Sequence, residues 1–284
     1  MDLEIIETIF TFGKFAALTP SSMNNHNPHC LQKLYEICVF VFYVVSFALS
    51  AFVYRTQYAI LTPIQFCILA VAIIFTYISH SLYVLVVVNL QKHCKWFKLL
   101  ASLKNTQCYK NNQNLYCLQF VMSHLITLSV IVVDVYFYCI YYDTPLALFN
   151  LIFCIEMYLQ LFYLVLRCII LEMLLSRYHH QNNVLQRATV LVKVLKQIKQ
   201  GVLTLKRCVN VFNSIFGWTI LGSTFSGALS SFVYIDLAVK DETYFAYLWR
   251  DLGLRLYFFA EIAFLLLLWV GTIGVILLCD FISK

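Results

Sequence analysis

The chain has 284 residues, 62% of them hydrophobic and only 12% charged, with a formal net charge of +6. A soluble domain is nearer ~45–50% apolar and ~25% charged, so the composition excludes an ordinary soluble fold and makes lipid the solvent. A spanning β-barrel is excluded as well, because no series of ~10-residue alternating segments is present.

The start of the chain does not read as a secretory signal. Asp2, Glu4 and Glu7 stand where positive charge is expected, and the apolar stretch that follows is short and interrupted. Translocation is then expected to be driven by an internal span, and residues 1–34 read as an N-terminal segment, cytoplasmic by the span count below, with a short amphipathic start and a polar patch, Ser-Ser-Met-Asn-Asn-His-Asn-Pro-His.

A membrane span needs ~20 mostly apolar residues. Six are predicted, near 35–54, 63–90, 117–142, 145–174, 208–237 and 252–280. Two starts carry a chemical mark. Thr62 before Pro63, and Thr144 before Pro145, place an N-capping hydroxyl ahead of a proline whose missing N–H costs a helix nothing at that position.

Orientation follows from Lys and Arg. The stretch 91–116 holds Lys92, Lys95, Lys98, Lys104 and Lys110, and 175–207 holds Arg177, Arg187, Lys193, Lys196, Lys199, Lys206 and Arg207. Neither contains an acid. The other connections are poor in positive charge or mixed. The two basic stretches are thus expected in the cytoplasm, and an even number of spans puts both termini there too. The first basic stretch reads as a loop. In the second, Val190, Leu191, Val194, Leu195, Ile198 and Val202 recur at helical spacing, with Lys193, Lys196 and Lys199 on another stripe. It reads as an intracellular extension of the fifth span, paired with an extension of the fourth. The alternative is a helix lying on anionic lipid. The expected fold is an all-α polytopic membrane bundle.

Ionisable groups inside spans are costly and therefore informative. At ~1.5 Å per residue, Asp134, Glu156 and Glu261 lie roughly 12–16 Å in from the outer ends of the third, fourth and sixth spans. Three carboxylates at similar depth are candidates to line an outward-opening pocket for a polar or cationic ligand. Tyr138, Tyr158 and Tyr234 would supply aromatic faces or hydroxyls. The competing reading is that each acid is hydrogen-bonded between helices. Arg167 is expected to snorkel or to pair with Glu172, and His80 and His124 to pack between helices or at the interface. In 217–227, Gly222 with Ser226 and Ser223 with Gly227 give the spacing that lets helices approach closely. Ser176-Arg-Tyr-His-His180 reads as a basic cytoplasmic surface.

None of the 11 cysteines falls in an outer loop, and neither a metal-site spacing nor a hydrolase, nucleotide or metalloprotease motif occurs. No catalytic residue, metal or cofactor is expected.

Several features together resemble the insect gustatory receptors, within the insect chemoreceptor superfamily. The first is the cytoplasmic N-terminus. Another is the long fourth helix ending in Leu-Leu-Ser-Arg-Tyr-His-His-Gln-Asn-Asn, where Arg177 and Tyr178 are followed by Asn182 or Asn183. A third is Asn210 or Asn213 ahead of Phe216-Gly217 in the fifth. The resemblance covers most of the chain in layout. It implies a plasma-membrane, ligand-gated cation channel subunit that detects a small-molecule tastant. It also implies a homo- or hetero-tetramer in the bilayer, with no nucleic-acid partner.

The family also has a seventh, pore-lining helix ending in Thr-Tyr, about five residues, then Gln-Phe. Thr76-Tyr77 is followed by Tyr83-Val84 and Thr243-Tyr244 by Arg250-Asp251, so neither fits. The expectation is a chain truncated before the pore helix that conducts no current alone. The alternatives are a polytopic transporter and a non-conducting six-span receptor-like protein. A G-protein-coupled receptor would need an outside N-terminus, and a membrane-embedded enzyme would need His or Asp clusters at the cytoplasmic helix ends.

Overall fold

Thr62 opens a helix by a reciprocal cap. Its hydroxyl lies 3.4 Å from the Gln65 N–H, and its own N–H donates to Gln65 Oε1 at 2.9 Å. This capping box satisfies two donors that a helix start leaves open. Pro63 then takes the first helical position without the loss of a bond.

A computed structural model describes residues 8, 9, 11, 13, 30–53, 62–72, 74, 75, 90–104, 113–141, 144–187, 192–240 and 252–283. Among them all regular structure is helical. In chain order the helices are α1 Cys30–Val53, α2 Pro63–Ala72, α3 Leu90–Lys104, α4 Gln113–Tyr141, α5 Thr144–Arg187, α6 Val192–Lys240 and α7 Leu252–Ser283. Two apolar stretches, Cys117–Ile140 in α4 and Tyr158–Gln186 in α5, are long and apolar enough to cross a membrane.

α5 is the axis of the bundle. It packs on α1, α4, α6 and α7. Its apolar stretch is 67% buried against 22% for that of α4. One contiguous core runs through Leu161, Phe162, Leu166, Ile170 and Leu174 of α5, with Leu205, Phe212 and Phe216 of α6 and Trp96, Leu99 and Leu103 of α3. Ile9 from the N-terminal segment belongs to the same core.

Outward faces are apolar too. Leu118, Val121, Leu125, Val132, Tyr136 and Ile140 form an exposed stripe on α4, and Leu266, Val270, Ile273 and Leu277 form another on α7. Stripes of this extent suit an apolar surround, since soluble chains rarely expose such contiguous patches.

Small residues set two close approaches. Ser226 of α6 donates to the Ala72 carbonyl of α2 at 2.9 Å, and the adjoining Phe75 and Phe225 rings meet at 4.7 Å. On α7, a Cβ at Gly271 would come within 2.8 Å of Leu164 Cγ. The second small pair, Ser223 with Gly227, is not at such an approach, because a Cβ at Gly227 would meet nothing within 4 Å.

The structure corrects the loop reading of 91–116. Residues 90–104 form α3, which lies against α6. Lys95 Nζ donates to Ser214 Oγ, and Trp96 packs edge-on against Phe216 with ring centroids 5.2 Å apart. The cause is a row of apolar residues at helical spacing, Trp96, Leu99 and Leu103, all fully buried.

Candidate functional site

Two polar arrangements stand out, one in the α4–α5 seam and one where α3, α5 and α6 meet.

In the seam, Asp134 is 1% exposed and its carboxylate faces α5. Cys154 Sγ donates to Asp134 Oδ2 at 3.2 Å. Tyr138, one turn along α4, is buried and meets the Phe137 ring edge-on. Tyr158, one turn past Cys154 on α5, sits with its ring edge toward His124 at 5.5 Å. His124 Nδ1 lies 2.8 Å from the Phe120 carbonyl one turn back, and its ring lies tilted against that of Phe120 with centroids 4.0 Å apart. Farther along, Gln119 Nε2 donates to Glu172 Oε1 at 3.2 Å. The antiparallel seam thus carries three polar steps, Asp134–Cys154, His124–Tyr158 and Gln119–Glu172, among apolar side chains.

Of the six pocket candidates, the structure describes Asp134, Tyr138 and Tyr158 and places all three on this seam. The side chains of Glu156, Glu261 and Tyr234 fall outside the described residues; their backbones belong to α5, α7 and α6. His80 also lies outside them. Arg167, buried, donates through Nε to the Tyr163 carbonyl at 3.1 Å, while Glu172 takes its hydrogen bond from Gln119.

At the second place, Arg177 is 3% exposed, which corrects the surface reading of Ser176–His180. Its Nε donates to the Leu103 carbonyl at 3.2 Å and its Nη1 to the Met173 carbonyl at 2.9 Å. Leu103 is the next-to-last residue of α3, and a helix leaves its last four carbonyls open. Arg177 therefore caps α3 from α5. Tyr178 packs against the core. The remaining motif-like positions lie outward. Asn182, Asn210 and Asn213 are exposed, and a Cβ at Gly217 would meet nothing within 4 Å.

Beyond this junction α5 and α6 continue as a pair, close enough that a Cβ at Gly201 would come within 2.8 Å of the Gln181 carboxamide carbon. Ile198 and Leu205 are buried on the inner face of α6, whereas Leu195 and Val202 of the expected apolar stripe are exposed. The extension is a packed helical stalk.

Among the described residues no three His, Cys, Asp or Glu gather as a metal site, and the nine cysteines whose side chains are described are free thiols. The residues missed from sequence are Trp96, Leu99 and Leu103; their spacing was the available signal. Compared with family models, curated proteins and solved structures, the chain matches none.

Proposed function

We propose that this chain is a multi-pass plasma-membrane receptor subunit of the gustatory type. It has six spans and a cytoplasmic N-terminus. It responds to a small-molecule tastant in its outer half and acts within an oligomeric cation channel. The observation that carries the proposal is the place of Arg177 and Tyr178. Of the two residues that resemble the family's motif, Arg177 is buried where three helices join and Tyr178 packs, half-buried, against the core, both on the helix that organises the bundle. The exposed apolar stripes of α4 and α7 support the lipid environment. The α5–α6 stalk, basic and without acids over 175–207, supports a cytoplasmic location for that end.

A ligand acts on such a protein through differential affinity for its states. The Asp134–Cys154 step joins α4 to the central helix α5. In the proposed outer half it is a place where a bound ligand would bear on helix packing.

Two measurements test the proposal. An epitope at Met1 should stain only after permeabilisation; staining of intact cells defeats the topology. Purified protein should be stabilised saturably by one class in a panel of sugars, amino acids and alkaloids, by about 2.7 kcal/mol at a hundredfold excess over Kd. Asp134→Asn should diminish that stabilisation. Uptake of a panel member into proteoliposomes, driven by an ion gradient, would favour a transporter and defeat the receptor reading.

A further inference from the structure

The contact between Lys95 and Ser214 sets the register of two basic helices. On α3, Lys98 lies one turn beyond Lys95 on the same stripe. On α6, Arg207, Asn210 and Ser214 share a stripe at i, i+3 and i+7. The helices run antiparallel, since Lys95 meets Ser214 while Ser102 lies beside Cys208. The stripes therefore continue side by side from the Lys95–Ser214 contact, and Lys98 lies along the Asn210–Arg207 edge.

All three side chains are exposed. Lys206 is exposed beside them, and no acid occurs in either stretch, 91–116 or 175–207, to neutralise the group. The fifth span is predicted to begin at residue 208, so the cluster sits at its cytoplasmic end.

We propose that Lys98, Arg207 and Asn210 form a binding site for the phosphorylated headgroup of an anionic phospholipid in the cytoplasmic leaflet. Charge complementarity selects the occupant. A guanidinium offers a planar two-donor fork to phosphate, an ammonium adds a point charge, and an amide N–H donates without repelling either. Anionic lipid is concentrated at this surface, and each basic residue near it adds to the attraction. The exposed apolar residues of α6 beyond the cluster, Trp218 and Leu221, lie where the acyl chains of such a lipid would run. The site also joins α3 to α6, so a bound headgroup would hold these two helices together. The proposal rests on the topology proposed above.

The test uses the full chain in mild detergent and a short-chain phosphatidylinositol bisphosphate as probe, with phosphatidylcholine of equal chain length as control. The protein should retain the anionic lipid and not the zwitterionic one in native mass spectrometry. The double variant Lys98→Gln, Arg207→Gln should weaken that binding about tenfold or more. It should keep the parent's helix content and elution volume, because neither side chain is buried. Lys196→Gln with Lys199→Gln, farther out on the stalk, should leave binding within about twofold. Equal retention of both lipids, or loss of binding only in the outer pair, would overturn the proposal. Binding in detergent does not depend on which way the chain is inserted, so failure of the topology would register in the Met1 stain and not here.

Discussion

Arg177 on α5 donates to the carbonyl of Leu103 on α3, 74 residues away in sequence, at 3.2 Å. This bond closes a helix end with a side chain from the helix that packs on four others. The donor is charged, and hydrogen bonds to charged groups are worth more than neutral ones. The same side chain reaches the Met173 carbonyl, so its fork is fixed from two directions.

Replacing Arg177 should therefore loosen α3 first. Arg177→Met keeps most of the stem and removes the donors. It should cost about 2–3 kcal/mol in detergent unfolding and raise amide hydrogen exchange over residues 99–104. Arg177→Lys should recover part of the loss, because an ammonium lacks the planar fork. Unchanged exchange in α3 would count against the cap.

Trp96 should matter as much. It is 1% exposed and packs edge-on against Phe216. Trp96→Ala should destabilise the protein by about 3–5 kcal/mol, measured as a lowered unfolding midpoint, through the cavity left between α3 and α6.

The two constrained glycines should behave differently. Gly271→Ala drives a methyl into Leu164, a core residue, and should cost about 1–3 kcal/mol. Leu164→Ala in the same chain should remove most of the added penalty, which a double-mutant cycle measures. Gly201→Ala meets only the end of the Gln181 side chain, which can swing aside. It should be neutral or stabilising by up to about 1 kcal/mol, since alanine favours the helix.

Ser226 joins α6 to the Ala72 carbonyl. Ser226→Ala should cost about 1 kcal/mol for one hydrogen bond. Ser226→Leu should cost more, because its bulk would push α2 away. A similar effect of both substitutions would argue against a close approach.

Much of this was legible in the sequence for physical reasons. Composition and the lack of alternating segments pointed to helices, and the described residues are all helical, with two stretches long and apolar enough to cross a membrane. The proline after Thr62 marked a helix start, and the structure adds Gln65 as the returning half of the cap. Helix α3 was hidden because its five-lysine neighbourhood dominated the reading of 91–116, although Trp96, Leu99 and Leu103 carried a clear period. Burial of Arg177 was not legible at all. A run of basic residues has the same pattern whether one of them faces water or a carbonyl 74 positions earlier. The direction of Asp134 was hidden likewise, because depth along a span follows from residue count whereas facing depends on which helix packs alongside.

Helix α6 runs unbroken for 49 residues and contains no proline. At ~1.5 Å per residue it is a rod of about 74 Å, more than twice the thickness of a bilayer's hydrocarbon core. A rod has no joint at which to lose motion. If it pivots near its middle by about 5°, each end moves by about 3 Å in opposite directions. Whatever fastens one end therefore also sets the position of the other, and the basic end of α6 and its far end are mechanically one part.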